Sequence, residues 1–416
     1  MDKLLSWMEH TLHQLNLVSD MNQIDGFSRL GYTKEEQKSQ HQFRVIAQEL
    51  GLETNQDFAG NQWAIWKVDE KAPTIALGSH LDTVYHGGGY DGVAGVLAGL
   101  ATLKALKDEG FQPNKNIAII AFACEESARF GVSTIGSQAI CGILEEKHIG
   151  HLQDLDGITL SEAVENCGLK WEEINQAKIP RGDLEQFIEL HIEQGKQLES
   201  TNTKIGIVSA IARPTRLKIM CKGMTNHTGT TRMEERRDAL VAIAPLIHFV
   251  EKKAIEINKR QEGSIVATVS KLELNPNSMS MIPGEVIIGI DIRSTSAALK
   301  KEMTTSIYEF LEDIKRKRSV YIHVEKIVDD NPIQLDAFIQ KRLHRTCSEL
   351  GFSSMFLDSG AGHDVMNMAQ KWPSGLIFIP CRDGISHHPN EYAEMKYLLV
   401  GTKLLINYLK ELVVTK

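Results

Sequence analysis

Five short segments of this 416-residue chain place histidines and carboxylates at spacings that could bind metal and move protons. In Gly78-Ser-His80-Leu-Asp82-Thr, period-two spacing can turn both side chains to one side, where Asp82 could hold the second imidazole nitrogen and fix its tautomer. An H-x-D pair also occurs as plain structure. Asp91 follows in Gly-Gly-Gly-Tyr-Asp91-Gly, where glycines let backbone and carboxylate approach an ion closely, although an Asp among glycines is commonly a turn residue. Cys124-Glu125-Glu126-Ser127 sets two carboxylates side by side, which repel when buried unless a cation or a proton separates them. A metal resolves that conflict: one glutamate ligates it and the other stays free to take a proton from water. An exposed acidic helix start is the alternative. Glu189-Leu-His191-Ile-Glu193-Gln194-Gly195 alternates, putting Glu189, His191 and Glu193 on one strand face, and Gly384-Ile-Ser-His387-His388-Pro-Asn-Glu391 adds two imidazoles in a loop. His151 and His248 read as ordinary surface or core histidines.

The elements that must position these groups are legible around them. Thr74 to Gly78 and Ile117 to Cys124 are nearly continuous apolar runs, the pattern of parallel strands covered on both faces. Such strands place ligands at their carboxyl ends. Between them, Val93, Val96, Leu97, Leu100, Leu103 and Leu106 mark one face of a helix leading into Gly110. Upstream, Thr33-Lys-Glu-Glu36 has capping-box spacing and opens a helix carrying Phe43, Ile46 and Leu50, which Gly51 ends.

From about Ala212 the rhythm changes. A strand (Arg216 to Lys222), a long helix (Arg236 to Arg260), two alternating strands (Ser264 to Glu273, Glu285 to Arg293), a second helix through Met303, Ile307, Phe310 and Ile314, and a strand with Val320, Ile322 and Val324 follow in turn. The order β-α-β-β-α-β is that of a ferredoxin-like split unit. The expected architecture is therefore an α/β catalytic domain over residues 1–211 and 329–416, with helices around a largely parallel sheet. An inserted lid domain occupies residues 212–328.

Composition narrows the partners. A net charge of −8 argues against a phosphate-backbone partner, which needs concentrated positive charge. Charges interrupt the apolar residues of the N-terminal segment, unlike a signal peptide, and no stretch has the length of a membrane-spanning helix. Six cysteines without a C-x-x-C pair suit free thiols in a reducing compartment. The expected setting is the cytosol.

The segments GSHLDTV, GGGYDGVAG, EESARFG, ELHIEQG, NHTGTT, IPGEV to DIRS, SGAGHD and GISHHPNEY, in order from about Arg29 to Tyr392, resemble the hydantoinase/carbamoylase family of dinuclear metal amidohydrolases. The resemblance implies two divalent ions per subunit, zinc or manganese foremost, with nickel or cobalt also accepted by such donors. It implies His80, Asp91, Glu126, His191 and His387 as ligands, with Asp91 bridging, and Glu125 as general base. It further implies a lid that binds substrate and dimerises, with His227 stabilising the oxyanion and Asn277 and Arg293 gripping a substrate carboxylate. Gln194 and the Gly360-Ala361-Gly362 turn line the same pocket by the same analogy. The strand pattern independently leaves Asp291 and Arg293 on the face opposite the buried one, where a surface ion pair between them is the bland alternative.

Against the family pattern, His388 stands in place of the common asparagine, Arg232 in place of proline and Val365 in place of a small residue, changes expected at the pocket rim. Arg216 is a further cation at a position that is basic in allantoate-type members. The implied reaction is hydrolysis of a small carboxylate-bearing ureido substrate, an N-carbamoyl-L-amino acid first and allantoate second. An aminoacylase or peptidase of the wider superfamily and a non-catalytic binding descendant are the remaining readings.

Overall fold

A computed structural model describes residues 3–261 and 263–413. The chain forms two compact units, one spanning residues up to Ser209 with Gln334–Leu357 and the stretch from His363, the other Ala210–Ile333 with Asp358–Gly362. The sequence pattern put the boundaries at 211/212 and 328/329. The short return at 358–362 carries no periodicity that could assign it to either unit.

At the centre of the first unit, Asn116–Phe122, Thr74–His80, Leu184–Ile192 and Ser374–Ile379 lie side by side in that order, all parallel. Gln62–Trp66 and Glu53–Gln56 extend the sheet antiparallel at one edge. Every residue of Asn116–Phe122 and of Ser374–Ile379 is buried, as expected for parallel strands with helices on both faces. The Val93–Asp108 helix is buried nearly all round rather than on the one expected face: Ala94, Ala98, Ala101 and Thr102 are inside as well. It packs against the sheet and against the Lys3–Asn16 and Met395–Leu412 helices, so small residues fill the sides that a surface helix would leave polar.

The Lys34–Glu49 helix starts as expected, with the Thr33 side chain accepting from Glu36 N. The capping box is not completed: the Glu36 carboxylate accepts from Tyr32 N at 2.5 Å and Cys124 N at 3.0 Å instead. Strand Asn116–Phe122 also ends earlier than the apolar run suggests, because Cys124 takes φ 51°.

The second unit is an antiparallel sheet in the order Tyr321–Asp329, Arg213–Lys222, Glu285–Ser294, Ile265–Asn275. Its helices are Ala239–Lys259 and Ala297–Arg318. The first begins after Asp238, whose side chain accepts from Leu240 N and Val241 N, so residues 236–238 lie outside it. Val286, Ile288, Ile290 and Ile292 point into the unit's core. All six cysteines are unpaired, and among the described residues no helix is long and apolar enough to cross a membrane.

Candidate metal centre

The carboxyl ends of the four parallel strands bring most of the chemical groups together. His80 ends its strand, Asp91 lies in the turn before the Val93–Asp108 helix, Glu125 and Glu126 follow Asn116–Phe122, and His191 sits near the end of Leu184–Ile192. All five are less than a tenth exposed. His387 comes from the loop after Arg382–Gly384 and is 47% exposed.

Asp91 is the hub. Its Oδ1 lies 3.1 Å from His191 Nε2 and 3.3 Å from His80 Nε2, whereas its Oδ2 lies 3.5 Å from His387 Nε2. His387 Nε2 is in turn 3.1 Å from Glu126 Oε1. Two donor sets meet at Asp91, His80–Asp91–His191 and Asp91–Glu126–His387, the ligating atoms of each within 4.8 Å of one another; His80–Glu125–Glu126 and Glu189–His191–His363 group as closely without it. The imidazoles are held for this. His80 Nδ1 is 3.0 Å from Asp82 O and His191 Nδ1 is 2.9 Å from Ile192 O, leaving each Nε2 facing Asp91. Gly92 is required here: at φ 66°, a Cβ would lie 2.5 Å from the His80 ring.

The cluster's charges favour a cation. Burial pushes Glu125 well above the usual carboxylate range, joined by Glu126, Asp364 and Asp82 against the pull of His80. Burial raises Glu126 too, with Asp91 adding to it. Asp91 and Glu126 drive His387 up to about 11, and Glu125, Asp82 and Asp91 overcome burial to raise His80 well above its ordinary value. Carboxylates that resist ionising beside imidazoles drawn toward positive charge are the donor set that a divalent ion satisfies.

Asp82 does more than expected: its Oδ1 lies 3.4 Å from His80 Nδ1, and the same carboxylate holds the turn that follows the neighbouring strand. Its carboxylate accepts from Glu125 N at 3.1 Å and Glu126 N at 2.9 Å, and it is the Asp82 carbonyl that lies nearest His80 Nδ1. Behind it, buried Arg29 donates to Leu81 O and Asn16 Oδ1. Glu193 lies outside the strand that was to carry it and caps the following turn, accepting from Gln197 N and Leu198 N. Glu189 stays in the strand and takes Ser79 Oγ and Val365 N. Val365 is fully buried, not on a rim. Gln194 donates to Asp91 Oδ2 at 2.6 Å. Cys124, Gln194 and His387 all have positive φ, a concentration of uncommon backbone at one place.

Except for His388, which lies in the first unit, the remaining residues singled out from sequence belong to the second unit. Asp291 bridges two guanidiniums there: Oδ2 to Arg216 Nε and Oδ1 to Arg293 Nε, both 2.9 Å. Burial opposes this charge, but the two arginines hold the Asp291 carboxyl below its ordinary range. Arg216 lies within its strand, opposite Asp291, not at a strand end. Arg293 Nη1 also donates to Gly360 O at 3.2 Å, and Ala361 N donates to Ser359 Oγ. His227 is exposed, and its Nδ1 accepts from Gly229 N at 3.0 Å, which puts the proton of the neutral ring on Nε2 and makes that atom a donor. Asn277, Arg232 and His388 are exposed. His388 Nδ1 accepts from Asn390 N, a local turn bond.

Sequence reasoning gave Glu36 only a helix-capping place and assigned no role to Arg29 or Glu391. Their carboxylates and guanidinium bind mostly backbone groups far along the chain, and no local pattern reports that.

The description "Peptidase family M20/M25/M40" matches residues 76–411. An N-carbamoyl-L-amino acid amidohydrolase of Geobacillus stearothermophilus is 34% identical, over 91% of this chain and 92% of its own. An allantoate amidohydrolase of Escherichia coli (strain K12) is 33% identical, over 93% of each chain. Among solved structures, a hydantoinase/carbamoylase family amidase from Burkholderia ambifaria has a TM-score of 0.85 and 28% identity, covering 99% of this chain and 98% of its own. With its parallel sheet and clustered donors set beside this likeness, the chain belongs to the M20/M25/M40 peptidase family, among its hydantoinase/carbamoylase amidohydrolases.

Proposed function

We propose that this protein hydrolyses the carbamoyl (ureido) C–N bond of an N-carbamoyl-L-amino acid, giving the L-amino acid, carbon dioxide and ammonia. The observation that carries the reading is Asp91, whose two oxygens face two different donor sets. His80 and His191 would hold one divalent ion and Glu126 and His387 the other, with Asp91 shared. When bound, such ions supply a Lewis acid for the carbonyl and make water a nucleophile near neutral pH.

Glu125 takes a proton from the attacking water and delivers it to the leaving nitrogen, which cannot depart as an amide anion. Its carboxylate is buried, and Asp82 fixes its backbone N–H. His227, with its proton on Nε2, donates to the oxygen on which charge develops. Asn277 and Arg293 bind the substrate carboxylate, and Gln194, Gly360 and Ala361 line the pocket. By family resemblance the second unit is a lid that also dimerises, with His227, Asn277 and Arg293 serving the partner subunit's metal centre.

Allantoate is the second reading, favoured by Arg216. Its guanidinium shares Asp291 with Arg293, so two cations face one carboxylate, which suits a more polar substrate. Assays of released ammonia and of newly freed α-amino groups over N-carbamoyl-L-amino acids, allantoate, N-acyl amino acids and dipeptides, with zinc, manganese, nickel or cobalt supplied, test the reading. Ammonia from ureido substrates supports it; turnover confined to acyl or peptide bonds refutes it.

A further inference from the structure

Glu391 ties together two loops that the metal reading needs, and does so almost entirely through backbone groups. Its Oε1 accepts from Tyr90 N and Asp91 N, both at 2.9 Å. Its Oε2 accepts from Ser386 Oγ at 3.0 Å and His387 N at 3.3 Å. One oxygen therefore serves the Asp91 turn and the other the His387 loop, which lie about 300 residues apart in sequence. Ser386 Oγ reaches Asp91 Oδ2 as well, at 2.7 Å. The fit is tight and dry: Glu391 is 5% exposed, and a Cβ on Gly88 would fall 2.2 Å from its Oε1. Packing alone would be met by an apolar side chain; a carboxylate placed here bears a desolvation cost that its hydrogen bonds must offset.

The two donor sets differ in how they are held. His80 and His191 are each oriented by a nearby carbonyl, Asp82 O and Ile192 O. His387 instead sits on an exposed loop at φ 57°, and among the described residues its side chain meets carboxylate and amide side chains rather than a backbone carbonyl. From this contrast we infer that Glu391 is a positioning residue for the Asp91–Glu126–His387 set, fixing the separation of Asp91 and His387, and that its Oε2 bonds to the His387 loop are needed for binding of the second ion and not of the first. This rests on the dinuclear reading above.

Glu391→Gln isolates the point. The amide oxygen can still accept from Tyr90 N and Asp91 N, but its NH2 group then meets the His387 N–H donor to donor and releases that loop. The test is titration of the metal-free protein with cobalt(II), followed by visible absorption and by chelator competition. Wild type is expected to take two equivalents. Glu391→Gln should keep the first at wild-type affinity and bind the second about 10- to 100-fold more weakly, the usual scale for losing a group that orients a ligand, with an altered absorption band for the second equivalent only. Two equivalents at unchanged affinity, or equal weakening of both, overturns the inference. Fewer than two equivalents in wild type overturns the dinuclear reading beneath it. Should Glu391→Gln fold poorly by circular dichroism, Glu391→Asp, whose shorter side chain keeps the charge but cannot span both loops, carries the same expectation and the same overturning result.

Discussion

Glu36 Oε1 accepts the backbone N–H of Cys124 at 3.0 Å, across 88 residues, while its other oxygen accepts from Tyr32 N. Both partners have positive φ, so one buried carboxylate pins two uncommon backbone conformations and fixes the turn from which Glu125 and Glu126 project. Arg129 locks the same junction by donating to Gly31 O and Tyr32 O.

Glu36→Ala leaves two buried N–H groups without an acceptor. At about 1–3 kcal/mol for each, the urea midpoint should fall with little change in m. An unchanged midpoint would show that these bonds do not hold the turn.

Glu125→Gln should keep both metals and lower kcat at least about a hundredfold, the scale of a positioned general base. Metal content must be measured on the same sample. Near wild-type turnover with both ions bound would remove Glu125 from that role.

His80→Ala and His387→Ala should instead lose metal, each from a different donor set. Stoichiometry by atomic absorption is the readout. Full occupancy in either variant would contradict the corresponding ligand assignment.

Arg293→Lys keeps the charge but loses the planar fork that meets Asp291 and Gly360 O. With charged hydrogen bonds contributing about 1.5–3 kcal/mol, KM for carboxylate substrates should rise about tenfold or more. Amide analogues of the same substrates should be much less affected. Equal losses would mean that Arg293 does not read the carboxylate.

Mixing Glu125→Gln with His227→Ala tests the shared site. Each homodimer should be nearly inactive. Random exchange makes about half the dimers mixed, each with one intact site, so activity should return to about a quarter of wild type. Verified heterodimers that restore no activity would refute the shared-site proposal and leave the metal assignment standing.

Much of the scaffold was already written in the order of residues. Runs of apolar residues mark strands buried on both faces, and the alternation of Val286, Ile288, Ile290 and Ile292 marks a strand with one face inside. These signals are local because side-chain direction repeats with the backbone every two residues or every 3.6. Likewise, residue chemistry alone said that adjacent Glu125 and Glu126 need a cation or a proton if buried. What required the tertiary structure was partnership. Glu36 has capping-box spacing but turns to Cys124; Glu193 alternates like a strand residue but caps a turn; Asp82 holds two backbone amides as well as facing an imidazole; and Glu391, in a loop without period, joins Asp91 to His387. A buried carboxylate takes the donors that packing delivers to it, and which segments packing delivers depends on strand order in the sheet, which no local repeat encodes.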